Sequence, residues 1–381
     1  MKKIVRITTI SDSLKGLLKG QLRFINQHYE VIGVSSDGES LKDARENEGI
    51  RTEVVEMTRT ISPFKDLKAV YSLYKILRKE QPHIVHTHTP KAGTIGMLAA
   101  KLAGVKHRFH TVAGMPLLVV TGPKRVLLNF VEKLTYKCAT KIFPNSFGLK
   151  DIILKEGFTT KKKLSVIGQG SSNGIDIDHF NRALLKEADL ETLKQKLNID
   201  QQFVYTYVGR LVTDKGINEL VAAFEIVVKN HNAKLILVGW RESELDPLLP
   251  ETEAILKQNE HIIQVGYQPD VRPYFAIADV LVFPSYREGF PNVVLQAGAM
   301  EVPSIVTNIN GCNEIIRDGE NGLIIPVKNK QAIVDAMEHV IQSPDSHQLM
   351  CTQSRQIIVN NYKHTYIWDE LLKEYRKTDQ Q

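Results

Sequence analysis

Glu288 is the residue of this 381-residue chain whose setting most suggests chemistry. It lies in Pro284-Ser285-Tyr286-Arg287-Glu288-Gly289-Phe290-Pro291-Asn292-Val293-Val294-Leu295-Gln296, directly after the apolar run Ala278-Asp279-Val280-Leu281-Val282-Phe283. That run reads as a buried strand, and Val293 to Met300 reads as a helix with Pro291 in its first turn. Glu288 and Gly289 then sit at the carboxyl end of the strand. The amides of Asn292, Val293 and Val294 point out of the helix start, where free donors and the helix dipole attract phosphate oxygens. A carboxylate repels phosphate, so Glu288 is expected to accept hydrogen bonds from hydroxyls. Together these parts suit a ligand carrying both phosphates and a sugar.

A second group lies in Val208-Gly209-Arg210-Leu211 and Asp214-Lys215-Gly216. Arg210 and Lys215 are placed where a strand-end loop enters the next helix. An Arg holds two phosphate oxygens in a fork and a Lys acts as a point charge, so the pair suits a diphosphate. The alternative is a surface pair bonded to carboxylates such as Asp214. Val238-Gly239-Trp240 and Gly266-Tyr267 mark two more strand ends, with Trp240 expected to pack on a neighbouring helix. Glu314 is expected to cap a helix start. His86, Thr87, His88, Pro90 and Lys91 follow another strand, whose alternation puts His86 and His88 on one face. A metal there would need His107 or His110 as further ligands, and no acid or cysteine completes a known spacing, so no metal or other cofactor is expected.

Strands alternating with helices must position these groups. In the first half, strands are expected at residues 2–10, 29–35, 83–88 and 141–145. Residues 11–19 read as a loop with the basic glycine steps Lys15-Gly16 and Lys19-Gly20, and Leu67, Val70, Tyr71, Tyr74 and Leu77 read as the buried face of a helix. Gly168-Gln169-Gly170-Ser171-Ser172-Asn173-Gly174 is the strongest linker candidate. Alternation resumes with strands at 204–208, 234–238, 262–266, 279–283, 304–307 and 322–325. The fold class is therefore α/β, with two doubly wound domains and ligands at the carboxyl ends of their strands, in a cleft. The expected boundaries are 1–170, a linker at 171–182, a second domain at 183–360 and a terminal helix at 361–381.

The length fits about two or three domains. Residues 1–180 carry 29 Lys+Arg and 16 Asp+Glu, a net +13, whereas residues 181–381 carry 20 and 27, a net −7. The basic half lacks basic–aromatic interleaving and any helix-turn-helix or zinc-finger spacing, which argues against nucleic acid and for an anionic membrane surface or lipid-linked phosphate. Met115 to Ala139 mixes apolar residues with Lys124, Arg125, Lys133 and Lys137, as an interfacial helix would; a helix packed on its own sheet is the other reading. No apolar run is long enough to span a bilayer, and no signal-peptide pattern is seen. Cys138, Cys312 and Cys351 are far apart and odd in number, which suggests reduced thiols in a cytoplasmic protein.

The segment from Glu288 to Gln296 resembles the E-x7-E signature of retaining glycosyltransferases of family 4, which have the GT-B fold. Glu288 stands at the first acidic position and Gln296 replaces the second; a Gln amide still bonds a diol. The resemblance implies two Rossmann-like domains facing across a cleft, with a C-terminal helix crossing back to the first. It implies catalytic roles for Glu288, Arg210 and Lys215. Donor contacts would come from Gly209, Arg210, Lys215, Gly266, Tyr267, Glu288, Gly289, Phe290, Pro291, Asn292, Val293 and Gln296. Lys15, Gly16, His88, Lys91 and His110 would face the acceptor. Many relatives carry a polar residue where this chain has Ala113, and the role is not passed to His110. Met57-Thr58-Arg59, Ile61-Ser62-Pro63 and His86 to Gly93 are similar to bacterial capsule and O-antigen transferases. The implied activity is sugar transfer from a nucleoside diphosphate sugar, UDP-linked, to a polyprenyl-diphosphate glycan at the inner face of the membrane, without metal. A non-catalytic sugar-nucleotide-binding subunit and a GT-B epimerase are the alternatives.

Overall fold

The computed structural model describes residues 1–58, 60, 62–115, 117, 120–242 and 246–380. Arg59 and Ile61, and Pro116, Leu118 and Val119 of the stretch before the sixth helix, lie outside the described residues. The chain divides into two compact units, Met1–Gly174 with His364–Gln381, and Ile175–Lys363.

The first unit runs β1 (Lys3–Ile7), α1 (Ser11–Leu17), α2 (Gln21–Asn26), β2 (Glu30–Ser35), α3 (Glu39–Glu48), β3 (Arg51–Val54), α4 (Pro63–Glu80), β4 (Ile84–His88), α5 (Pro90–Leu102), β5 (His107–Val112), α6 (Gly122–Cys138), β6 (Lys141–Pro144) and α7 (Phe147–Lys155). The second runs α8 (Glu187–Lys196), β7 (Phe203–Val208), α9 (Ile217–Asn230), β8 (Ala233–Val238), α10 (Pro250–Gln258), β9 (Ile262–Gly266), α11 (Arg272–Ala276), β10 (Val280–Phe283), α12 (Asn292–Ala299), β11 (Ser304–Thr307), α13 (Cys312–Ile315), β12 (Gly322–Ile325), α14 (Lys330–Gln342) and α15 (Pro344–Tyr362). The last helix, α16 (His364–Arg376), belongs to the first unit.

Each unit holds one parallel six-stranded sheet. The orders are β3-β2-β1-β4-β5-β6 and β12-β11-β10-β7-β8-β9. Read from its own first strand, each is the same doubly wound arrangement, with a switch point between β1 and β4 and another between β7 and β10. Strands β4, β8, β10 and β11 are buried along their whole length, as expected of strands covered on both faces. In the first unit, one apolar cluster joins Val5, Ile7, Val70, Leu73, Ile95 and Tyr136 beneath α4, α5 and α6. The other joins Ile4, Leu14, Leu22 and Phe109 with Ile367, Leu371 and Tyr375 of α16.

Two sequence expectations are corrected. Residues 11–17 are helix, not loop, because Leu14 and Leu18, one turn apart, are both fully buried in the second cluster. Helix α4 is amphipathic with a rotated face: Ala69, Val70, Leu73 and Leu77 face the core, while Leu67 and Tyr71 stand 65% and 58% exposed. Beyond α7, Lys163 Nζ donates to the carbonyls of Tyr136 and Ala139 at 2.9 and 2.8 Å, closing the end of α6.

Under β4 lies a polar core. Arg6 of β1 is fully buried, and burial lowers its pKa. It meets no carboxylate; its Nε donates to His88 Nε2 at 3.0 Å and its Nη2 to Gln21 Oε1 at 2.5 Å. An Arg has no acceptor, so His88 Nε2 must be the bare nitrogen and His88 is neutral. His86 contacts Tyr375 Oη at 2.5 Å and Thr111 Oγ1 at 2.8 Å. His110 Nδ1 meets Thr87 Oγ1 at 2.8 Å. Burial holds His86 and His88 well below the ordinary histidine range and takes His110 down to about 4. Above pH ~6.5 these rings are neutral both folded and unfolded. Below it only the unfolded chain gains protons, so stability falls with pH at ~1.4 kcal/mol per pH unit for each histidine. Urea midpoints measured from pH 8 to pH 4 should be flat above ~6.5 and fall more steeply than one proton allows below it. A profile flat to pH 5 would show that these rings take up protons in the folded protein.

Candidate active site

The second unit's switch point gathers the predicted donor residues. Tyr207, fully buried in β7, sends its hydroxyl to the carbonyl of Arg210 at 2.8 Å, fixing the loop as it leaves the strand. Burial pushes this phenol well above its usual range, with the nearby Glu288 and Asp214 charges adding to it, so it remains a donor. Two glycines let backbones meet here. A Cβ on Gly239, at φ +147°, would lie 1.8 Å from the Gly209 carbonyl oxygen. One on Gly216, at φ +73°, would lie 2.2 Å from that of Pro284. The loops after β7, β8 and β10 are thus in backbone contact.

Arg210 pairs with Glu242, on the loop after β8. Burial works against its charge, but Glu242, with Asp214, more than offsets this and leaves the guanidinium above its ordinary value. Lys215, in the turn Thr213–Lys215, pairs with Glu288 in the loop after β10. Both side chains of that pair are more than four-fifths buried. Glu288 Oε1 also accepts from Ser285 Oγ at 3.0 Å. Its carbonyl accepts from Asn310 Nδ2, which also reaches the Gly289 carbonyl at 3.3 Å. Thr307 Oγ1 donates to the Ser285 carbonyl. Asp214, the suggested partner of the Arg210–Lys215 pair, bonds Arg287 at 2.8 Å instead. Sequence reading missed Tyr207, Glu242, Ser285, Thr307 and Asn310 as parts of this site. Of these, only Ser285 sits in the motif itself.

The helix start departs from expectation in detail. Helix α12 opens at Asn292, and Pro291 is the extended residue before it, at φ −78° and ψ 109°. The Val294 amide is not free; it donates to the Pro291 carbonyl at 3.2 Å. Among the described residues, the amides of Asn292 and Val293 have no protein acceptor. Phe290 is 8% exposed and turns into the core, 5.5 Å from the Tyr362 ring, so only its backbone is available. Gln296 lies one turn past Asn292, half-buried. Trp240 does not pack on a helix. It stands 49% exposed, edge-on to Tyr267 with ring centres 5.5 Å apart, at the adjoining ends of β8 and β9. Glu314 accepts from the Gly311 amide at 3.3 Å, a first-turn cap.

The residues expected to face the acceptor do not gather. Lys15 and Gly16 lie within α1, and Lys15 is exposed and paired with Asp43 at 2.6 Å. Lys91, in the first turn of α5, pairs with Asp66 at 2.7 Å. His110 is only 3% exposed; its ring would collide with a Cβ on Gly93 of α5, and it lies 6.2 Å from the Tyr136 ring. It is a core residue under α5. His88 borders a cavity of about 10 Å³ with Gln21, Thr111, Asn145, Ser171 and Ser172. That is room for a water and not for a sugar. Thr89, next along, is held at φ +86° and ψ 143°, a conformation costly for a β-branched residue. Its Oγ1 meets that of Thr9 at 2.7 Å across the switch point. Among the described residues, no group of three or more His, Cys, Asp and Glu could hold a metal, and no helix is long and apolar enough to cross a membrane.

The family models for "Glycosyl transferases group 1" and "Glycosyl transferase 4-like" match residues 189–361 and 7–146. The chain is 36% identical to the capsular polysaccharide biosynthesis glycosyltransferase CapM of Staphylococcus aureus, over 98% of this chain and 97% of that one. It is 30% identical to the Escherichia coli UDP-Gal:alpha-D-GlcNAc-diphosphoundecaprenol alpha-1,3-galactosyltransferase, covering 88% and 86%. Among solved structures, Anabaena Alr3699/HepE with UDP and glucose superposes with a TM-score of 0.82 at 18% identity, over 99% and 100% of the two chains. A Rickettsia africae glycosyltransferase superposes with a TM-score of 0.81 at 20% identity, over 99% and 98%. The two parallel sheets, the two family models and 36% identity to a capsule enzyme over nearly the full length converge: the chain belongs to the group 1, family-4-like glycosyltransferases and has their GT-B fold.

Proposed function

We propose that this glycosyltransferase moves a sugar from a nucleoside diphosphate sugar, UDP-linked, to a glycan on a polyprenyl diphosphate at the inner face of the cell membrane, with retention of configuration and without a metal. The observation that carries the reading is the pair of ion pairs at one switch point, Arg210–Glu242 and Lys215–Glu288. Two cations at one strand-end site, each paired with a carboxylate, suit a ligand that is a diphosphate. Names of relatives support the substrates: the E. coli enzyme takes UDP-Gal and a GlcNAc-diphosphoundecaprenol acceptor, and a Campylobacter jejuni relative, 28% identical, also acts on a diphospho-undecaprenol substrate.

In this reading the donor diphosphate displaces Glu242 from Arg210 and draws Lys215 partly from Glu288. The two cations then face the oxygens on which charge grows as the glycosidic bond breaks, which lowers the barrier most where charge develops late. They do for the leaving group what a divalent ion does in other transferases. Glu288, steered by Ser285, turns to the donor sugar's hydroxyls. The Asn292 and Val293 amides add two donors for phosphate. Trp240 and Tyr267 offer the base an aromatic wall. The leaving diphosphate accepts the acceptor's proton, and no covalent nucleophile is assigned.

A thermal-shift panel of UDP, GDP, ADP and CMP with their common sugars, with and without magnesium, tests the donor. UDP compounds alone should raise the melting temperature, equally with and without magnesium. No shift with any nucleotide would favour a subunit that acts only with its acceptor bound. Glu288→Gln should lower kcat by about 10²-fold or more, as loss of one such contact does, while UDP affinity is kept. Equal losses in both would remove the proposed division of roles. Glu242→Gln frees Arg210 and removes a competing carboxylate, so UDP should bind up to about fivefold more tightly, the scale of a partly exposed ion pair. Weaker UDP binding would show instead that Glu242 holds Arg210 in its working position.

A further inference from the structure

Two helices of the first unit carry apolar side chains on their outer faces. On α4, Phe64, Leu67 and Tyr71 are 89%, 65% and 58% exposed. On α6, Val126, Leu127 and Phe130 are 69%, 45% and 65% exposed. Helix α5 lies between them and packs against both. It is buried along most of its length, so α4 and α6 stand as ridges on either side of it. Exposed apolar side chains are ordinary singly, but six on two such ridges form a patch that calls for a partner.

The patch has a direction. All six residues fall within the first nine positions of their helices, Pro63 to Tyr71 and Gly122 to Phe130. Helices that join parallel strands run antiparallel to them, so both halves lie at the carboxyl edge of the sheet. That is the edge of the β1/β4 switch point, where Lys91 sits.

The patch also has a sign. Lys65 and Lys68 on α4 and Lys124 on α6 lie within the same nine positions and pair with no acid among the described residues, and Lys75, next along α4, lies 4.3 Å from the centre of the Tyr71 ring. The acids of the two helices are occupied elsewhere. Asp66 bonds Lys91, and Glu80 bonds Lys3 and Arg51 at 2.9 and 2.8 Å. Glu132, the one acid on α6, is part-buried, and burial raises its carboxyl above the ordinary range. What faces solvent is therefore aromatic and aliphatic tips among lysines.

We infer that the outer faces of α4 and α6 together form the surface by which this protein docks on an anionic lipid bilayer, with the carboxyl edge of the first sheet toward the headgroups. The inference deepens the lipid-linked-acceptor reading and rests on it for its purpose. Apolar tips of this kind enter the headgroup–acyl boundary while the lysines meet anionic headgroups, each cation adding to the attraction. A second copy of the chain fits less well, because a two-fold contact would set lysines against lysines.

Flotation of the full-length protein with phosphatidylcholine vesicles, with and without phosphatidylglycerol, tests the surface. The protein should bind only the anionic vesicles and come off as salt rises. Phe64→Ser/Leu67→Ser on α4 and Val126→Ser/Phe130→Ser on α6 should each weaken binding, and both pairs together should abolish it. Each Lys→Gln change among Lys65, Lys68 and Lys124 should weaken it about fivefold. The UDP thermal shift of these variants should be unchanged, which shows that they fold. Vesicle binding without any UDP shift would leave the surface standing and remove the donor reading. Equal binding to neutral vesicles, wild-type binding by the double-pair variant, or a patch-dependent dimer that ignores vesicles would overturn the inference.

Discussion

A parallel sheet covered on both faces by helices leaves one kind of place for polar chemistry, the ends of its strands. Both units obey this constraint, and the second shows its consequence. β7 and β10 are neighbours whose chains leave in opposite directions, so their end loops diverge and open a crevice. Arg210 and Lys215 arrive from one side of that crevice and Glu288 from the other. The contact of Gly239 with Gly209, and of Gly216 with Pro284, is what allows three loops to share so small a space.

Electrostatically the two units are built differently. In the second, each cation proposed to act, Arg210 and Lys215, is paired with a carboxylate. In the first, Arg6 is buried among neutral partners, His88 and Gln21, with one nitrogen unpartnered. It holds β1, α2 and β4 together and fixes His88 as neutral, while burial keeps the pKa of His86 and His110 low. Clustered histidines suggest metal or proton transfer when read as a string, yet here they work as hydrogen-bonding core residues.

What could be read from sequence followed physical locality. The alternation of apolar runs and helices predicts both sheets, because a buried strand is apolar along its own length. That Glu288, Arg210 and Lys215 lie in loops at strand ends was legible, because each follows an apolar run within a few residues and carries a charge. Glu242 was not: nothing near it in the chain signals that it meets Arg210, thirty-two residues away. Asn310 and Tyr207 act on backbone carbonyls, which leaves no trace in residue type. The face of α4 was misjudged for a related reason. Periodicity finds an apolar stripe, but where both stripes of a helix carry apolar residues it cannot say which one meets the core. Helix α1 was hidden by Gly16, whose penalty is outweighed by the burial of Leu14 and Leu18.

The last helix has a consequence for how the protein is made. Ile367, Leu371, Leu372 and Tyr375 complete a core whose other members lie within the first 170 residues, and Tyr375 is fully buried against His86. Asp379 bonds Lys2 at 2.9 Å and Tyr29 at 2.6 Å. During synthesis the second unit, continuous from Ile175 to Lys363, is finished before the first can close. The amino-terminal unit emerges first from the ribosome and is the last to be completed, with one side of its core open to solvent until the final helix is released.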